Sequence, residues 1–199
     1  MEKVEQQASP SARRESFGET VRFVATAIIA IVLIRTFLAS PFIVEGASMD
    51  ATFHNSDYLI VDKLSYRFVE PQRGDIVVFR YPYNPSVHHI KRIIGLPGDT
   101  VSVQNGTVTI SNTQWKNGTI AEPYVLEGNN LATMNDTRTL GENEYYVMGD
   151  NRDNSLDSRR YGTLSGEFIA GRVVLRLFPF DMVSLFPGRV ESYLVTTPK

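Results

Sequence analysis

Between Phe23 and Phe42 the chain runs for 20 residues with a single charge, Arg35. At 1.5 Å rise per residue, a helix of that length crosses the roughly 30 Å hydrocarbon core of a bilayer. Arg35 lies toward one end, where a long side chain can carry its charge to the headgroups. Pro41 marks the expected helix exit. A core helix would show a polar face, which this segment lacks. A cleaved leader cut near Ala39 would leave Ser48 just behind a new terminus. The segment is therefore read as a retained transmembrane anchor over 21–42, with a polar, mobile tail over 1–20. Lys3, Arg13, Arg14 and Arg22 precede the anchor and favour a cytoplasmic N-terminus. Residues 43–199 are then expected outside the cytoplasm.

After Phe42 the pattern changes to short apolar runs between turn residues. "DYLIVDKL" (57–64), "GDIVVFRY" (74–81), "HHIKRIIG" (88–95), "DTVSVQNGTVTI" (99–110), "EYYVMGD" (144–150) and "GEFIAGRVVLRLF" (166–178) read as strands. Asn105-Gly106 predicts a tight hairpin, because both central positions of a type I′ turn need positive φ. Asn105, Asn117 and Asn135 each begin a glycan-acceptor pattern and are read as turn residues. The whole predicts a mostly β fold: an N-terminal transmembrane helix, then an antiparallel, partly open, barrel-like domain. Residues 111–143 are polar and irregular and are expected to form a small inserted lobe. "RLFPFDMVSLFPG" (176–188) either rests on a membrane interface or packs in the core.

Composition excludes several kinds of chemistry. There is no cysteine, so disulfides and thiolate nucleophiles are ruled out. The three histidines, at 54, 88 and 89, form no metal-binding motif, and neither metal nor cofactor is expected. A net charge of -2 with scattered basic residues gives no face for nucleic acid.

One chemistry that stays open is nucleophilic catalysis by a serine with a neighbouring base. Ser48, in "VEGASMDATF" (44–53), lies just beyond the anchor. Its base could be a histidine oriented by Asp50 or Asp57, although the chain has no G-x-S-x-G elbow. It could equally be a lysine kept neutral by burial. Lys91 is placed for that role: in a strand it shares a face with His89 and Ile93. Arg92 lies on the other face and contributes little if its head reaches solvent. "YYVMGDNRDNSLDSRRYG" (145–162) packs many polar groups behind an apolar strand, as a solvated loop or as a buried bracing network.

Ser48-Met49, "GDIVVF" (74–79), "IKRIIGLPGD" (90–99) and "GDNRDNSLDSR" (149–159) resemble, in order, the boxes of bacterial type I signal peptidases. The segment "IRTFL...PF" before them is similar as well, and the resemblance covers roughly residues 21–177. It implies a membrane-anchored Ser/Lys endopeptidase that removes signal peptides after Ala-x-Ala-type sites, with no cofactor. Its implied partners are exported preproteins and lipid, near the secretion translocon at the inner membrane. Ser48 is the implied nucleophile and Lys91 the general base. Ser155 orients the lysine amine, and Asp157 with Arg159 braces the site. Phe42, Val44, Gly46, Met49, Phe53 and Ile90 are the implied substrate-binding residues.

The sequence departs from the family pattern at two positions. Gly46 stands where some members carry a hydroxyl that completes the oxyanion hole. Ala51 replaces the proline of the usual Ser-Met-x-Pro-Thr, so a less ordered turn is expected. Two rival readings are a self-cleaving repressor-type Ser/Lys protease and a weakened, membrane-tethered scaffold. The anchor and the complete 149–159 box speak against the first, and only Gly46 and Ala51 support the second. The S-x-x-K and K-T-G elements of penicillin-binding enzymes are absent.

Overall fold

The computed structural model describes residues 10–125, 134–190 and 194–195. It divides into two units, residues 1–38 and 39–199. In the first, helix α1 (Pro10–Leu33) continues through a wider π turn at Ile34–Leu38. Phe17–Thr36 within it is long and apolar enough to cross a membrane. Residues 10–20, expected as part of a mobile tail, belong to this helix. Residues 1–9 lie outside the described residues.

The helical stretch ends at Leu38, three residues before Pro41. Strand β1 (Ala39–Ile43) begins at Ala39, and Pro41 sits within it opposite Ile60. β1 is the edge of its sheet. An edge strand tolerates proline because one row of its backbone groups has no ladder partner.

The second unit is antiparallel and contains two sheets. The larger also includes β2 (Tyr58–Asp62), β3 (Ile76–Tyr81) and β4 (Asn84–Gly95). The hairpin β5 (Thr100–Gln104) and β6 (Thr107–Ser111), with β7 (Gly118–Ile120) and β8 (Asp136–Thr139), belongs to the smaller. The chain then returns to the larger sheet through β9 (Glu144–Met148), the one-turn helix α2 (Ser158–Tyr161), β10 (Leu164–Ser165), β11 (Ile169–Phe178) and β12 (Ser184–Leu185). Finally β13 (Leu194–Val195) joins the smaller sheet. The orders are β1-β2-β11-β3-β4-β9-β10, with β12 on β11, and β13-β7-β6-β5-β8. Neither sheet closes on itself, so the domain is an open, barrel-like β fold. The inserted lobe begins at Thr100 rather than 111, because the 100–111 hairpin pairs with β7 and β8 and not with the larger sheet. Asn105 and Gly106 have φ of 47° and 83°, as a type I′ turn requires.

β4 matters most for function because both of its faces are buried near its end. Ile94 packs into the core of the smaller sheet with Val101, Ile110 and Tyr146. Ile93 packs with Val77, Phe79 and Val147. Lys91 and Arg92 precede them on the same stretch and are buried as well. A third cluster, Val44, Met49, Phe53, Leu59 and Val78, lies against β1 and β2. The 176–188 segment is not core. Phe180 and Leu185 remain 79% and 73% exposed.

Candidate active site

Ser48 begins a compact run of turns between β1 and β2. Asp50 N–H donates to Ala47 O (3.1 Å), and both Thr52 and Phe53 N–H donate to Met49 O (2.9 and 2.8 Å). The turn is anchored from below, because Met49 and Phe53 are almost wholly buried in the core. Both were expected to form pocket walls, yet neither lines the cleft. Their bulk holds the floor on which Ser48 stands.

Lys91 reaches this turn from β4. Its Nζ lies 2.6 Å from Ser48 Oγ and 2.8 Å from Ile90 O. Burial lowers the Lys91 pKa to about 8, with Arg159 adding to the effect and Asp157 and Asp150 opposing it. His89 lies on the same face and its pKa falls to about 4, first through burial and then through Lys91. It is therefore neutral at neutral pH and stacks on Tyr81, with ring centroids 4.6 Å apart. The side chain that approaches Ser48 is thus Lys91 and not His89. The backbone N–H of His54 donates to Asp57 Oδ2 at 3.2 Å, and the residue is exposed and does not line the cleft that holds Ser48.

The 149–159 box is a buried bracing network rather than a solvated loop. Asp157 receives Arg159 Nε and Nη2 (2.8 and 2.7 Å) and Gly149 N–H (3.0 Å). Burial works to raise the Asp157 pKa. Arg159, Ser155 and the Gly149 amide overcome it and hold the carboxyl below its ordinary range. Ser155 is buried beside this carboxylate. Its Oγ makes no hydrogen bond of regular geometry among the described residues, and none joins it to Lys91. Asn151 connects the box to the nucleophile: its N–H donates to Ser48 O (3.1 Å) and its Nδ2 to Ala47 O (3.0 Å). Gly149 permits this approach, since a Cβ there would run into Ser48 O and Ser155 Oγ.

Arg92 does not reach solvent. Its side chain is fully buried and grips Asp150 through Nε–Oδ1 (2.9 Å) and Nη2–Oδ2 (2.6 Å). Asp150 also accepts the Thr52 hydroxyl at 2.5 Å, and Arg92 Nη1 donates to Gly188 O at 2.7 Å. From β11, Arg176 Nη1 adds bonds to Thr52 O and Asp57 Oδ2, each 3.1 Å. Arg92, Asp150, Thr52 and Asn151 belong to the network around Ser48, although reading the chain gave them no place in the site. A signal was present: apolar residues on both faces of 90–95 imply a strand buried on both sides. An arginine in such a strand must find a carboxylate.

Phe42, Val44, Gly46 and Ile90 line a cleft of about 610 Å³ that also contains Ser48 and Lys91. His88, Asn154 and Leu156 line it as well. The Gly46 N–H donates to Asn55 Oδ1 at 3.0 Å, so this amide is already engaged and is not a free oxyanion donor.

Ala51 has φ of 103°, a region that favours glycine. Proline, fixed near -65°, cannot take this conformation. The departure from the family motif thus accompanies a different backbone path, not only a looser turn. Ala51→Gly is expected to raise stability by about 0.5–1 kcal/mol, relief of strain exceeding the added chain entropy. Ala51→Pro is expected to lower it. Thermal unfolding of the three proteins decides, and a stabilising Ala51→Pro would contradict this turn geometry.

Comparison with known proteins places the chain in a family. Residues 17–178 match the family described as "Signal peptidase, peptidase S26". Signal peptidase I of Bacillus licheniformis is 36% identical over 180 residues, covering 86% of this chain and 94% of its own length. Probable signal peptidase I-2 of Synechocystis is 37% identical over 186 residues, covering 89% and 80%. A solved signal peptidase I from Enterococcus faecalis V583 is 32% identical, covering 52% of this chain and 97% of its own, with a TM-score of 0.44. The chain belongs to the signal peptidase I family, the membrane-bound serine endopeptidases that cleave signal peptides.

Proposed function

We propose that Ser48 is the nucleophile and Lys91 the general base of this signal peptidase, cutting exported preproteins after small residues. The observation that carries the proposal is the 2.6 Å contact between Ser48 Oγ and the buried Lys91 Nζ. A neutral amine at that distance takes the hydroxyl proton as Oγ attacks the scissile carbonyl. The resulting ammonium returns the proton to the leaving amine, and the acyl-enzyme forms. A water then gives its proton to Lys91 and attacks the ester; Lys91 passes that proton to the leaving Ser48 Oγ, which frees the signal peptide with its new carboxylate and restores both groups. Asp157 and Arg159 brace the 149–159 loop that supports Ser48, and Ser155 is buried within that loop against Gly149.

Substrate enters as an extended strand. β1 has no strand on its outer side, and β9 pairs with β4 only from Arg92 onward among the described residues. The end of β1 and residues 86–91 of β4 therefore present free strand edges along the cleft, and main-chain hydrogen bonds hold the peptide there. The walls of Phe42, Val44 and Ile90 admit small side chains and exclude large ones. The anchor confines this cleft to the membrane surface where preproteins emerge, beside the translocon, and so raises their effective concentration.

The pH profile tests the lysine. Only the neutral amine accepts the proton, so log kcat/KM is expected to rise with unit slope up to about pH 8 and level off above it. A plateau already reached near pH 6 would instead point to another base.

A further inference from the structure

Glu122 and Tyr124 follow β7 in the smaller sheet's part of the chain and do not line the cleft. Pro123 fixes φ between them, and Val125 N–H closes a turn on Glu122 O at 3.0 Å. Both side chains therefore leave one short, stiff turn. The Tyr124 ring lies 3.9 Å from Arg92 Cζ and 5.9 Å from Arg152 Cζ. A single buried ring is thus shared by two guanidinium groups that are themselves withdrawn from water. Burial keeps the Tyr124 hydroxyl protonated, and it donates to Glu122 Oε1 at 3.1 Å. Glu122 receives Arg152 through both oxygens, with Nη1–Oε2 at 2.9 Å. Burial opposes the charge on Arg152, and Glu122 more than restores it.

Each arginine leads to the nucleophile. Arg92 holds Asp150, which takes the Thr52 hydroxyl. Arg152 Nε donates to Gly149 O at 2.9 Å, and Arg152 O accepts Arg159 Nη2 at 2.7 Å. Between these two anchored points sits Asn151, whose amide and side chain hold Ser48 O and Ala47 O. An error in the position of the 149–152 run is therefore passed directly to the Ser48 backbone. Two buried cations beside one ring stay in place only if each keeps its own carboxylate, Asp150 for Arg92 and Glu122 for Arg152.

We infer that Glu122 and Tyr124 form a clamp, supplied by the smaller sheet's lobe, that positions Ser48 against Lys91 through Arg92 and Arg152. They are positioning residues, since neither touches the reacting atoms. The inference rests on the Ser48–Lys91 reading above. It also gives the smaller lobe a task in catalysis: its turn at 122–124 sets the register of the loop that carries the nucleophile's support.

The test uses the full chain in lipid-supplemented detergent with a preprotein bearing an Ala-x-Ala site. Tyr124→Leu is expected to lower kcat about 10- to 100-fold with KM within about threefold, because the dyad shifts while the cleft is untouched. Tyr124→Phe keeps the ring and is expected to restore kcat to within about threefold of wild type. Glu122→Gln keeps volume but leaves Arg152 short of its counter-charge, and is expected to lose about 10-fold in kcat. Circular dichroism at the assay temperature verifies that each variant is folded. A folded Tyr124→Leu enzyme with unchanged kcat overturns the inference. So does a loss carried by KM alone, or one that Tyr124→Phe shares in full. If Tyr124→Leu does not fold, Glu122→Gln carries the same test, and an unchanged kcat there overturns it. Ser48→Ala and Lys91→Ala run in parallel. Activity in those two removes the dyad, whereas their inactivity beside a fully active Tyr124→Leu removes only the clamp.

Discussion

Ser48→Ala and Lys91→Ala are each expected to lower kcat/KM on an Ala-x-Ala preprotein by at least roughly 10,000-fold. The two groups lie 2.6 Å apart, and in the proposed mechanism one proton passes between them, so losing either stops the same step. The double variant is therefore expected to be no worse than either single one, because residues that act as a unit are not additive. Lys91→Arg is not expected to rescue, since a guanidinium does not give up its proton near neutral pH. Timed cleavage followed by gel, with circular dichroism to confirm folding, decides the matter. Substantial cleavage by either single variant would sink the dyad.

Asp150→Ala is expected to destabilise the folded chain by about 3–5 kcal/mol, the cost of leaving a buried charge without its partner. Arg92 would keep its bonds to Gly188 O and the stacking of Tyr124, but neither is a counter-charge. The pair can be tested as a pair. Arg92→Met with Asp150→Leu is expected to cost at least about 2 kcal/mol less than the sum of the two single changes. Urea midpoints of the four proteins measure this coupling. Simple additivity would mean that Asp150 and Arg92 act independently, contrary to their two-point contact.

The strands were legible because their apolar runs are short and bounded by turn residues, and the Asn105-Gly106 hairpin was legible from two residues. The extent of the smaller lobe was not. Whether a hairpin joins one sheet or another depends on which edge accepts it, and a strand's own residues do not say. The helix end was misplaced for a similar reason. Pro41 looks like a stop signal, yet the helix had already given way where β1 could pair with β2. Within the site, Ser48 and Lys91 were readable from their motifs. The fate of Arg92 was not, because a strand position indicates a face and not what covers it. Met49 and Phe53 failed as pocket walls because a turn can bury neighbours of an exposed serine completely.

By itself the sequence determined a membrane-length apolar helix, a β-rich body and a serine and lysine set in a recognisable order of boxes. These follow from local properties: hydrophobic length, alternation, turn chemistry and motif spacing. Only the tertiary structure decided that residues 43 positions apart meet at 2.6 Å. It also decided that Asp150 and Arg92 neutralise each other in the core, and that a tyrosine from the smaller sheet's part of the chain rests on that arginine. The reason is physical. Burial and partnership set the charge of a lysine or an arginine, and both are properties of the packed chain rather than of the residue.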